Sequence, residues 1–243
     1  MTDTALDIRE LCVSFGTSAV LDHVDLQVRR GETFGLMGLN GAGKTTMIKC
    51  ILGLRDQDSG QIFINGKSKG DPGCKSELSF LPEKFEPPWF LTGMEFIHFC
   101  LSLYGRRMDD ADILSATESL ALDPKALKRK MHTYSKGMRQ KLGILGTLLT
   151  GCSLLILDEP MSGLDPRARA LVKRMITEMK HKDRTIFLSS HILADMDEIC
   201  DRVAVLHDAK VLYVGTPQDM KAQTKAQNLE QAFLDYVEKR EAA

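Results

Sequence analysis

Gly38-Leu39-Asn40-Gly41-Ala42-Gly43-Lys44-Thr45 is the stretch on which the reading of this chain turns. The octet fits G-x-x-x-x-G-K-[ST], the pattern of a phosphate-cradling loop. Glycines let the backbone fold so that successive N–H groups point at phosphate oxygens. A helix that follows turns its positive N-terminal end toward the same anion. The spacing of Met47, Ile48, Ile51 and Leu52 predicts that helix over Thr46–Leu52. Lys44 would neutralise the β- and γ-phosphates of a bound nucleotide, and the Thr45 hydroxyl would ligate Mg²⁺. The expected phosphate-contact set is Gly38, Leu39, Asn40, Gly41, Ala42, Gly43, Lys44, Thr45 and Thr46.

Outward from the octet, Thr33–Met37 is a short apolar run of the kind found in a fully buried strand. Ile8–Phe15 and Val20–Val28 alternate like half-buried strands around Gly16. Gln61–Ile64 runs into Asn65-Gly66, a pair that favours a tight turn. From about residue 84 to 150 the character changes. Thr92–Tyr104 and Asp109–Leu120 have helical spacing, and Pro72, Pro82, Pro87 and Pro88 punctuate the approach. This reads as an inserted helical subdomain. Strand pattern returns at Leu154–Leu157 and Thr185–Ser189, each followed by a helix, and Val203–Leu206 with Val211–Val214 reads as a closing hairpin. Alternating strands and helices imply a parallel sheet covered by helices. After a main unit over residues 1–225, a tail over 226–243 carries Leu229, Phe233, Tyr236 and Val237 on one face of an amphipathic helix.

Composition narrows the function classes. The 243 residues hold 32 Lys plus Arg against 33 Asp plus Glu, a net charge of −1, so no basic excess points to nucleic acid. The six cysteines form no C-x-x-C pair and show no zinc spacing with histidine, so they read as reduced thiols that act as small apolar side chains. The opening MTDTALDIRE lacks a basic segment followed by an apolar run, so no signal peptide is expected. The longest uncharged run, Leu142–Leu157, falls short of the ~20 residues of a spanning helix. A membrane role is expected only through a partner.

Leu154-Leu155-Ile156-Leu157-Asp158-Glu159 is a buried strand that ends in two acids. Carboxylates at the mouth of an apolar strand are costly unless a cation or a reaction occupies that mouth. In parallel α/β sheets the mouth is where ligands bind. Asp158 is therefore assigned to Mg²⁺ through its water shell, and Glu159 to polarising an attacking water as general base. In Ser162-Gly163-Leu164-Asp165-Pro166, Asp165 and Pro166 also read as N-cap and first residue of a helix over Arg167–Lys180.

With these residues in order, the chain resembles the nucleotide-binding subunit of an ATP-binding-cassette (ABC) transporter. The phosphate loop, LLILDEP and SGLDP stand in the family's order, and Tyr134-Ser135-Lys136-Gly137-Met138-Arg139-Gln140 occupies the place of its LSGGQ signature. Leu188-Ser189-Ser190-His191 matches the switch-histidine segment. The resemblance runs from about Leu6 to Val214. It implies a RecA-like P-loop NTPase core of α/β class, with an N-terminal antiparallel β subdomain and an inserted α-helical subdomain. It implies ATP and Mg²⁺ as cofactors and ATP hydrolysis as the activity.

By the same resemblance, Phe15 would stack on adenine, the competing reading being a core phenylalanine at a strand end. His191 would contact the γ-phosphate and orient the water with Glu159. Asp165 would help bridge two protomers, and Ser135 and Gly137 would bind the γ-phosphate held by the opposite protomer. Two departures stand out. Lys136 replaces the first signature glycine, where it either adds charge beside the phosphate or points to solvent, and Met138 replaces the signature glutamine. Glu83, in Phe80-Leu81-Pro82-Glu83, stands where the family has a glutamine that offers an oxygen toward Mg²⁺. Chains with LPE here resemble the ATPase subunits of ABC-2 type exporters. The expected partners are an integral-membrane permease and a second copy of the cassette, without nucleic acid, at the cytoplasmic face of the cell membrane. Trp89 and Phe90 either line the groove that receives the permease or pack the helical subdomain. A non-transport ABC ATPase, such as the energy subunit of an assembly factor, is the alternative function.

Overall fold

A computed structural model describes residues 3–180 and 184–241. The last two residues of the expected tail, 242 and 243, lie outside it. In chain order the elements are β1 (Thr4–Phe15), β2 (Ser18–Arg29), β3 (Thr33–Met37), α1 (Lys44–Ile51), β4 (Ser59–Ile64), β5 (Lys67–Ser68), α2 (Pro72–Lys75), β6 (Leu78–Leu81), α3 (Gly93–Leu103), α4 (Asp110–Glu118), α5 (Lys136–Leu149), β7 (Leu154–Asp158), α6 (Pro166–Lys180), β8 (Thr185–Ser189), α7 (Leu193–Ile199), β9 (Arg202–His207), β10 (Lys210–Gly215), α8 (Pro217–Thr224) and α9 (Leu229–Glu241).

Two sheets form. The larger has the order β10-β9-β3-β8-β7-β6, parallel except for the β9–β10 hairpin. The smaller is antiparallel, in the order β2-β1-β4-β5. The fold is thus an α/β core with an antiparallel β subdomain, as the resemblance implies.

The apolar runs of β7 and β8 make sense because both faces of the larger sheet are covered. Successive side chains point to opposite faces, so each strand feeds two cores. Leu155 and Leu157 face the helical side with Leu142, Leu145, Phe96 and Ile97. Leu154 and Ile156 face the other way, onto Met47 and Ile48 of α1 and Leu11 and Val13 of β1.

The predicted helices α3 and α4 are each a little shorter than expected. Thr92 stops α3 through a capping box: its hydroxyl accepts from Glu95 N at 3.2 Å, and Glu95 Oε2 accepts from Thr92 N at 2.7 Å. Helix α1 starts two residues earlier than its apolar stripe suggested, because Gly43 caps it in a left-handed conformation. The tail helix α9 buries Leu229, Phe233 and Val237 against the chain's own core, with Tyr236 donating to Gln223 Oε1 at 2.7 Å. Trp89 and Phe90 are 69% and 55% exposed, which rules out the reading in which they pack the subdomain core. Phe15, 53% exposed, is likewise no core residue.

The helical segment is tied to Tyr134 by a close approach. Tyr134 Oη donates to Ala126 O at 2.7 Å, and a Cβ on Gly93 would lie 2.3 Å from that hydroxyl. Gly93→Ala should therefore destabilise the protein by about 1–3 kcal/mol, the usual cost of overpacking, although alanine is the better helix former. Urea unfolding checks this, and equal or greater stability would show that Tyr134 yields freely.

Candidate functional site

Four parallel strands end side by side and place the polar residues. The octet follows β3, Glu83 follows β6, Asp158 and Glu159 close β7, and Ser189 closes β8 just before His191. Asp158 and Ser189 are register partners, so the acids and the switch segment meet by strand pairing alone. A cavity of about 410 Å³ opens at these ends, lined by Asn40–Thr46, Glu83, Asp158, Glu159 and His191.

The loop wraps a cation. Lys44 Nζ donates to Gly38 O at 2.7 Å and to Leu39 O at 3.2 Å. Gly43 has φ 104°, and a Cβ there would lie 2.8 Å from Val20 O, so no other residue fits without rearrangement. Burial lowers the pKa of the Lys44 ammonium, against the pull of the Glu159, Asp158 and Glu83 carboxylates.

Asp158 is buried and accepts a very short hydrogen bond from the Ser189 hydroxyl. Burial pushes its carboxyl above the ordinary carboxylate range. Ser189 opposes that shift, Glu83 and Glu159 reinforce it, and Lys44 pulls weakly the other way. Glu159 takes φ 51°, a left-handed conformation unusual for a non-glycine residue. Its N–H donates to Ser189 O at 3.2 Å and Ser189 Oγ at 3.3 Å. Its Oε2 lies 2.7 Å from His191 Nδ1, with the His191 ring largely exposed to the cavity mouth. Such a kinked residue, held by its neighbours, is the kind of local strain that gathers at functional sites.

Three carboxylates therefore face one ammonium across a small cavity. That donor set, hard oxygens from Asp158 and Glu83 with the Thr45 hydroxyl beside them, fits a small hard cation such as Mg²⁺. The N–H groups of the loop and of α1 fit a polyanion.

Six expected site residues, Phe15, Gly38, Leu39, Ser135, Gly137 and Asp165, do not line this cavity. Ser135 caps α5, accepting from Met138 N at 3.2 Å, and Gly137 is the second residue of that helix. Asp165 caps α6 through Ala168 N at 2.8 Å. Phe15 stands at the end of β1, with the Arg55 guanidinium 3.8 Å above its ring and Arg55 Nη2 bonded to Ser14 O at 3.0 Å. Gly38 and Leu39 act on it only through their carbonyls, which hold Lys44, and Leu39 lines a neighbouring cavity with Ser18–Val20 and His207–Ala209. The Lys136 side chain does not reach the chain's own phosphate loop. It lies along Gly163, where a Cβ would meet its Cε at 2.8 Å.

Sequence reasoning missed two supports. Ser189, in sequence only a member of the Leu188–His191 segment, contacts both acids. A polar residue ending the apolar run TIFLS was the available signal. Gln140 stands two residues past the place of the signature glutamine, which Met138 occupies. It is buried and donates to Pro160 O at 2.9 Å and Glu159 O at 3.5 Å, propping the segment that carries the acids. Nothing local in the sequence distinguishes that role.

This constellation on this sheet defines a P-loop nucleoside-triphosphate-binding fold. Residues 21–162 match the family model described as ABC transporter. The chain is 41% identical over 199 residues to an uncharacterised ABC transporter ATP-binding protein, sll0415, of Synechocystis, covering 81% of this chain and 56% of that protein. It is 36% identical over 213 residues to the bacitracin transport ATP-binding protein BcrA of Bacillus licheniformis, covering 86% of this chain and 69% of BcrA. A solved structure of the ATP-binding subunit of an ABC transporter superposes with TM-score 0.89 at 32% identity, covering 96% of this chain and 99% of that one. The chain belongs to the ABC transporter family, as one of its ATP-binding cassettes. It spans little more than half the length of the Synechocystis relative.

Because Asp158 holds its proton more tightly folded than unfolded, it costs stability once pH rises through its raised pKa, and that cost is absent below the unfolded value. Asp158→Asn should then raise the Tm of the nucleotide-free protein at pH 7 and remove the Mg²⁺ dependence of nucleotide binding. Calorimetric scans with and without Mg²⁺ check both; a lower Tm would mean that the ionised carboxylate is a net stabiliser here.

Proposed function

We propose that the chain binds Mg–ATP in the 410 Å³ cavity, hydrolyses it, and powers a separately encoded membrane permease that acts as an exporter. The observation that carries the reading is the Glu159–His191 pair, 2.7 Å apart at the edge of the phosphate loop. A carboxylate hydrogen-bonded to an imidazole is suited to hold a water and accept its proton. Lys44 and the loop N–H groups orient the β- and γ-phosphoryl oxygens, and His191 offers the γ-phosphate a contact. A magnesium ion held by Thr45 and Asp158, with Glu83 beside it, would supply charge neutralisation on the transferring phosphoryl group.

Two cassettes act together, head to tail. Support comes from Ser135, the cap of a 14-residue helix, and Gly137 in its first turn, which lie away from the chain's own cavity. Offered to the nucleotide of a second copy, that helix end completes the anion's ligand shell. ATP then favours the closed pair and phosphate release the open one, a population shift through differential affinity. Asp165 sits beside this surface. Phe15 receives adenine on the ring face that Arg55 leaves uncovered.

No helix among the described residues is long and apolar enough to cross a membrane, so a transport role needs a partner. The exposed Trp89–Phe90 pair, edge to face at 5.8 Å, favours a docking groove over the alternative of a non-transport ATPase. The bacitracin transport relative supports the same choice.

Glu159→Gln should lower ATP turnover by about 10²–10⁴-fold and accumulate ATP-bound dimers on gel filtration; near-normal turnover would remove Glu159 as the base. Trp89→Ala should leave basal ATPase intact while abolishing transport and permease co-purification. Retention of both in a stable variant would favour the non-transport reading.

A further inference from the structure

We propose that Cys12, Asp22 and His23 form a binding site for a borderline-soft divalent cation of the zinc class, on the outer face of the antiparallel sheet. Their spacing in the sequence hides them, and only strand pairing reveals the set. Leu11 pairs with Val24 and Val13 with Leu21, so the single residue Cys12 faces two, Asp22 and His23. This is a β-bulge. In an unbroken strand Asp22 and His23 would point to opposite faces. Here Leu21 and Val24 are both buried inward, and the two residues between them both turn outward, beside Cys12. His23 takes φ 47° to do so.

One ligand atom from each residue, a sulfur, a carboxylate oxygen and a ring nitrogen, lies within 4.8 Å of the others. A tetrahedral zinc with bonds of about 2.0–2.3 Å keeps its ligands roughly 3.5 Å apart, so the Asp22–His23 pair must part by about an ångström while the sulfur moves in by a similar amount, shifts that side-chain rotations supply. The three groups leave a fourth position for water. The sulfur is already oriented: His23 N donates to Cys12 Sγ at 3.3 Å. Asp22 already gathers nitrogen groups, with His23 Nδ1 at 2.7 Å and Lys210 Nζ at 3.3 Å. The thiol selects against Mg²⁺ and Ca²⁺, which prefer all-oxygen shells. None of the three residues lines the phosphate cavity, so the site is independent of the proposed ATPase cycle.

Cobalt(II), added to the nucleotide-free chain, reports the site through a thiolate-to-cobalt charge-transfer band. One equivalent per chain should saturate the band, and zinc should displace it. Cys12→Ser should abolish the band, His23→Ala should weaken binding by at least about tenfold, and Lys210→Met should tighten it by removing a competing cation. Circular dichroism establishes that each variant is folded. A folded wild-type chain without the band, or a band that survives in Cys12→Ser and so belongs to another cysteine, would overturn the proposal.

Discussion

The structure is organised around an unbalanced charge. Asp158 and Glu159 are almost fully buried at the end of β7, Glu83 joins them from β6, and one ammonium, Lys44, stands against the three. Carboxylates withdrawn from water without matching cations are expensive. The fold bears the cost because three of the four groups are pinned: Asp158 by Ser189, Glu159 by two bonds from its backbone N–H to Ser189 and by its carboxylate's contact with His191, Lys44 by two loop carbonyls. A site held in an unfavourable charge state is ready for a cation and a polyphosphate together, and a trade of stability for function is common at such sites.

Helix α5 links this centre to the surface. Its N-terminus carries Ser135 and Gly137, its buried Gln140 holds the carbonyl of Pro160, and its length packs on α3 and β6. A shift of this helix along its axis therefore moves the chain just after the two acids. The same surface gains a second strut where Lys136 lies along Gly163, in the segment that leads to Asp165.

Much of this was legible from residue order. The octet at 38–45 announces its own helix and anion, because glycine and lysine types at those spacings have few other uses. LLILDE announces a doubly buried strand with an acidic mouth, and Asp165-Pro166 a helix start. Less legible were β6, too short at four residues for its alternation to show, and the depth of Phe15, Trp89 and Phe90. A strand-end or loop aromatic has the same sequence signature whether it is packed or exposed.

The sequence by itself determined the class of fold, the phosphate loop and the acidic strand end, because each depends on local backbone chemistry or a short run of side-chain types, whereas His191 stands out only through the family resemblance. Tertiary structure alone decided which distant groups share a space. Ser189 reaches Asp158 only because β7 and β8 pair in register, Gln140 reaches Pro160 only because α5 packs beneath that turn, and Cys12 meets His23 only through a bulge. Those contacts are set by register and packing between segments far apart along the chain, and no local pattern encodes them.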